Sequence, residues 1–212
     1  MSPRRPSVNE AMRRRSRERL LRATVELVEE RGFEETTLGD IADRAGSARG
    51  LVSYYFPGKR VLLQAAAHRL MHTELAAALG REPVPADGRE LLARAIDAVL
   101  ALPVRHPVVM RAHMAGILQT EGFSECEERR RLAELLLEAV TEWGSTDPEQ
   151  DYRMLRALLM GGVFAQLIPG AAMPLARLRA DLFQRYGLSW ELGVPPGDLP
   201  PGGTPLPGTA QR

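Results

Sequence analysis

Between Thr36 and Lys59 the chain changes character twice within a few residues, and no other stretch narrows its possible folds as much. Thr36 and Thr37 precede Leu38, Ile41, Ala42 and Ala45, an apolar stripe at helical spacing that lasts about two turns. Thr37 is followed three residues later by Asp40, a loose form of the box in which side chain and backbone satisfy each other at a helix start. Gly46 breaks this helix. A second short helix is predicted from about Ala48 to Tyr54, and Pro57-Gly58 ends it. Two short helices joined by a tight, glycine-containing turn are the sequence form of a helix-turn-helix.

The flanking pattern is also helical. Leu20, Leu21, Thr24, Val25, Leu27 and Val28 share one face, and Gly32 stops that helix. Residues 1–14 carry Pro3, Pro6 and several arginines and read as a flexible basic arm, with the helix starting near Arg15. A long helix is expected from Lys59 to about Leu79. Further helices follow over 89–102, 107–119, 125–143, 148–168 and 174–186, separated at Pro103 with Pro107, Gly122, the run GSTDP, and Pro169-Gly170. No segment alternates with a period of two, so the predicted class is all-α. From Glu191 proline and glycine dominate. Such a tail buries too little apolar surface to offset its ordering entropy, and 191–212 is expected to be disordered. The organisation predicted is an arm over 1–14, a helix-turn-helix domain over 15–60, a larger helical domain over 61–190 and the tail.

A net charge of +1 hides an asymmetry. Residues 1–60 hold thirteen bases against nine acids, and the first 25 residues hold eight bases against two. A basic end on a mildly acidic body favours an anionic partner at that end. The single cysteine, Cys126, excludes an internal disulfide. No apolar run is long enough to cross a bilayer, and the arginine-rich start lacks the apolar core of a signal peptide. A cytoplasmic protein is the expectation. There is no nucleophile elbow, phosphate loop or dinucleotide fingerprint, so catalysis and a cofactor find no support.

In a helix-turn-helix the second helix enters the DNA major groove. Arg49 near the start of that helix can reach a base edge or a phosphate, and Gly50 lets the backbone approach closely. Ser53 and Tyr54 fall on the same face, whereas Leu51, Val52 and Phe56 are expected to point inward. Tyr55 offers a ring to the core and a hydroxyl to a phosphate. Lys59 opens the next helix, where N–H groups and its own charge attract an anion.

Residues 15–63 resemble the N-terminal domain of TetR/AcrR-type transcriptional regulators. The likeness lies in ERGFEETTL, then DIADRAG, then SARGLVSYYFPGKRVLL. It implies an all-helical homodimer with a three-helix DNA-binding domain and a larger domain that binds a small molecule and dimerises through its last two helices. It also implies that Thr37, Tyr54, Tyr55 and Lys59 hold phosphates, while Arg49, Gly50 and Ser53 face bases. Ala48 and Gly39 depart from the family pattern, which favours a Ser or Thr cap and a long polar residue there.

For the larger domain, Met71, Met110, His113, Met114, Trp143 and Phe164 are the expected lining of an effector pocket. The segments 152–170 and 174–188 are the expected dimer surface, with Gly161-Gly162 allowing close helix approach. His68 and His72 stand four residues apart, the spacing of a metal pair. No third ligand is evident, so no metal is assigned and both are expected to be exposed. The function expected is a ligand-responsive regulator, most plainly a repressor released from a palindromic operator. Its partners are a double-stranded DNA operator, a second copy of itself and a small effector. The alternatives are an activator, a ligand-independent DNA binder or, remotely, a metal-dependent helical enzyme.

Overall fold

A computed structural model describes residues 8–117 and 126–193. Among these residues all regular structure is helical: α1 Val8–Arg31, α2 Leu38–Arg44, α3 Arg49–Tyr55, α4 Lys59–Leu79, α5 Gly88–Arg105, α6 Pro107–Ile117, α7 Glu127–Trp143, α8 Pro148–Leu167 and α9 Leu175–Arg185. They form two compact units that do not follow chain order. One holds α1 to α3, α4 as far as Leu70, and His106–Arg130; the other holds Met71–Arg105 and the chain from Arg131.

In the first unit the core follows the sequence stripe. Leu20, Leu21, Leu27, Ile41, Val52, Phe56 and Leu62 are buried together. Each such side chain contributes about 1.5–3 kcal/mol relative to exposure. Val28, Leu63, Ala67 and Val109 continue the packing between α1, α4 and α6. Gly32, at φ +88°, ends α1 in a conformation that side-chain-bearing residues avoid. The Thr36 hydroxyl donates to its carbonyl at 2.7 Å.

The arm expected over 1–14 is helical from Val8 onward. The run VNEAMRRR contains mostly straight-chain residues and alanine, which lose little side-chain freedom in a helix. Residues 1–7 lie outside the described residues.

In the second unit α5 is buried along most of its length, from Leu92 to Pro103. The break expected at Pro103 falls instead at His106: α5 runs through Pro103 to Arg105, and Pro107, with its fixed φ, starts the next helix. Arg179 of α9 is 1% exposed and bonds Asp97 of α5 through Nε at 2.7 Å and Nη2 at 3.2 Å. It also donates to the carbonyls of Trp190 and Leu192, and its guanidinium lies 3.9 Å from the Phe183 ring centre and 4.2 Å from that of Trp190. The first residues of the predicted tail, 191–193, are thus tied to the unit. Residues 194–212 lie outside the described residues. Of the glycine pair on α8, Gly162 packs inward: a Cβ there would stand 3.0 Å from Leu100, whereas one on Gly161 meets open space.

Candidate nucleic-acid interface

The geometry of α2 and α3 starts from two caps that differ. Thr37 caps α2 with a complete box: its hydroxyl oxygen accepts from the Asp40 N–H at 3.1 Å, and the Asp40 carboxylate accepts from the Thr37 N–H at 2.9 Å. The Thr37 hydroxyl also donates to Asp40 at 2.6 Å. These bonds to Thr37, with Arg31 beside it, hold the Asp40 carboxyl below the usual carboxylate range. Both Thr37 donors are therefore committed to Asp40, and its geometry is that of a cap. At the start of α3, Ala48 supplies no side-chain cap, and the buried Ser47 hydroxyl has no partner among the described residues. Position 47 does not compensate for the missing cap.

With Val52 and Phe56 buried, α3 turns Arg49, Gly50, Ser53 and Tyr54 outward, the face expected from the spacing. Tyr54 is 67% exposed, and its ring meets Tyr55 edge-on at 5.2 Å. Tyr55 is half-buried against the core. Leu51, expected to point inward, is instead 39% exposed, because the core has room for only one side of so short a helix. Arg49 reaches Asp43 at 3.2 Å. Its guanidinium carbon lies 3.4 Å from where a Gly39 Cβ would be, so the absent side chain gives Arg49 its resting place on α2.

Lys59 is less free than expected. Its ammonium donates to the carbonyls of Phe33 at 2.9 Å and Glu34 at 3.2 Å and lies 4.3 Å from the Phe33 ring centre. It therefore ties the start of α4 to the turn after α1. Arg17, which the sequence did not single out, lies over the Phe56 ring at 4.9 Å and pairs with Glu128. The only sequence signal for it was its place among the arginines of α1.

The expected effector lining is divided between the two units. Met110 and His113 are buried on α6, and Met114 is half-buried beside them. Trp143 donates to the Tyr186 carbonyl at 3.2 Å and packs edge-on against that ring. Phe164 is 47% exposed on α8, and Met71 is half-buried on α4. His68 corrects the expectation of an exposed pair: it is 7% exposed, meets the His113 ring edge-on at 5.0 Å and has Cys126 Sγ 3.5 Å from its Nδ1. Burial pushes His68 down to about 3, with His113 and Arg129 adding repulsion. Burial alone takes His113 to about 4, so both rings are neutral. His113 Nδ1 and Gln64 Oε1 are buried without a partner among the described residues. Among the described residues no group of three or more His, Cys, Asp or Glu side chains is placed to hold a metal ion.

Two short helices on a tight turn, carried by a third and followed by a long fourth, define a helix-turn-helix protein of the all-helical class. The profile described as "Bacterial regulatory proteins, tetR family" matches residues 20–66, so the segment that holds α2 and α3 is similar to the DNA-binding segment of that family. An HTH-type transcriptional regulator, BetI, from Stenotrophomonas maltophilia is 37% identical over 83 residues, covering 38% of this chain and 42% of its own length. The chain spans about half the length of the curated relatives it matches. Among solved structures, a TetR transcriptional regulator from Rhodococcus sp. RHA1 superposes with a TM-score of 0.64 at 18% identity, over 82% of this chain and 95% of that one. The transcriptional regulator FadR from Bacillus subtilis, solved in complex with stearoyl-CoA, gives 0.56 at 18% identity over 80% and 96%. These likenesses establish a shared fold. No described helix is long and apolar enough to cross a membrane.

Proposed function

We propose that the chain is a ligand-responsive, DNA-binding transcriptional regulator, a homodimeric repressor released from a palindromic operator by a small molecule. The observation that carries this reading is the outer face of α3, where Arg49, Gly50, Ser53 and Tyr54 are exposed together over buried Val52 and Phe56. In this reading α3 lies in the major groove. Arg49 leaves its exposed pairing with Asp43 for a base edge or phosphate, a small loss because such surface pairs contribute little. Gly50 admits the DNA backbone, Ser53 faces bases, and the Tyr54 and Tyr55 hydroxyls meet phosphates. Lys59 is first a structural tie and only then a phosphate contact. Thr37 serves by fixing α2.

The dimer reading is supported by α8, where Met154, Ala157, Gly161 and Phe164 form one exposed stripe of apolar and small residues. Phe164 belongs to this surface in our reading, and Met110, His113 and Met114 of the first unit remain as effector contacts. Two recognition helices about 34–36 Å apart would read successive turns of a palindrome. Effector and DNA would each weaken the other's binding by the same factor; a coupling of about 1–3 kcal/mol gives roughly 5–150-fold release.

The test is titration of the full chain into DNA upstream of its own coding sequence. Tight binding to a short palindrome is expected, and Arg49→Ala should cost about 1–3 kcal/mol of affinity and relax sequence preference. Binding that is indifferent to sequence, or to Arg49, would sink the assignment of α3. A fall rather than a rise of target transcripts in a deletion strain would make the protein an activator.

A further inference from the structure

The helix that carries the domain is longer than the domain needs. Leu20 is the first residue of α1 in the buried core, yet the helix begins at Val8, so about three turns precede it. Arg13, Arg14 and Arg15 on this overhang are exposed, and none of them has a bonding partner among the described residues. Arg13 and Arg14 lie four and three residues before Arg17, which places all three on one side of the helix. Arg17 in turn lies over the ring of Phe56, the residue that closes α3. Two acids stand in this part of α1: Glu18, which is bonded to Arg69, and Glu10, three and four residues before Arg13 and Arg14. Two exposed guanidiniums, against one acid on the same face, thus sit on a preformed helix, one turn from the residue that touches the end of α3. Because the helix is already ordered, binding there costs side-chain freedom but no backbone ordering.

We propose that Arg13 and Arg14 form a second, sequence-independent contact with the DNA phosphate backbone, flanking the segment in which α3 is seated. Guanidinium forks match phosphate oxygens in charge and geometry, and each contact releases condensed counterions. The contact adds affinity and salt dependence without adding base preference. This inference rests on the DNA-binding reading of α3.

The experiment measures binding of the full chain to a random-sequence duplex by fluorescence anisotropy over a range of NaCl concentrations. Wild type is compared with Arg13→Gln/Arg14→Gln, in which glutamine preserves helix propensity, and with Arg13→Lys/Arg14→Lys. The glutamine variant should lower the slope of log K against log salt by about two units, roughly 0.9 for each phosphate lost. The lysine variant, which keeps both charges, should retain most of the slope. Far-ultraviolet circular dichroism should be the same for all three. A wild type that binds while the glutamine variant keeps its full slope overturns the proposal and leaves the α3 reading standing. A wild type that binds neither this duplex nor the upstream DNA overturns both.

Discussion

The two compact units bury polar chemistry in opposite ways. In the first, the polar groups taken into the interior are mostly neutral: Thr24, Thr36, Gln64, His68 and His113. Its ionic pairs run over the surface, as between Arg44 and Glu30 at 2.8 Å, with Glu128 as the buried exception against Arg17. The second unit places a full charge pair inside, Asp97 with Arg179, and surrounds it with two aromatic rings and two carbonyls. The difference follows from what each must hold. Short helices such as α2 and α3 are positioned by a compact apolar core, by side chains that bond nearby carbonyls and, for α2, by a cap. Joining α5, α9 and the segment around Trp190, far apart in the chain, takes one side chain with several directed donors. Arginine provides that, at the cost of a charge that must be matched.

This contrast gives its largest expected effect at Asp97. Asp97→Ala leaves a buried guanidinium without its carboxylate and should destabilise the protein by about 3–5 kcal/mol in urea titration. A loss below about 1 kcal/mol would show that the Trp190 and Leu192 carbonyls satisfy Arg179 alone, which would break the contrast.

Acid should separate the units in the other direction. Folding holds His68 near 3 and His113 near 4, whereas the unfolded chain takes up these protons near 6.5. The depressed values mean that the unfolded state binds more protons below about pH 6.5. Stability from the two neutral rings is complete above that pH and is lost progressively as pH falls towards 4 and then 3. The thermal midpoint should therefore fall between about pH 6.5 and 4.5, and His113→Phe should flatten the fall. An unchanged slope in that variant would mean that other groups govern the acid response.

The smallest effect is expected at Lys59, where Lys59→Ala removes two bonds from an ammonium to backbone carbonyls. A loss of about 1–2 kcal/mol in stability should accompany any loss of DNA affinity. Weakened DNA binding with unchanged stability would instead make Lys59 a phosphate contact before it is a tie.

What could be read without the structure was local. The helical segments, the Thr37 box, the glycine stops and the outward set on α3 all follow from spacings of a few residues, where backbone geometry alone decides which side chains share a face. Leu51 and the helical start at Val8 were misjudged at the margins, where core size and helix propensity outweigh the simple pattern. The rest depended on which elements meet. Lys59 finds its carbonyls 25 and 26 positions back, and Arg179 finds Asp97 82 positions away. Nothing in a helical repeat specifies a partner at such distances. Gly39 looked like a missing contact and is the floor beneath Arg49; His68 looked like half of an exposed pair and is buried against His113. The sequence by itself determined the helices, their caps and the exposed face of the second short helix, because these are set by bonds along one stretch of chain. Only tertiary packing decided which charges are tied and which stay free, because that depends on what the neighbouring element brings within a few ångströms.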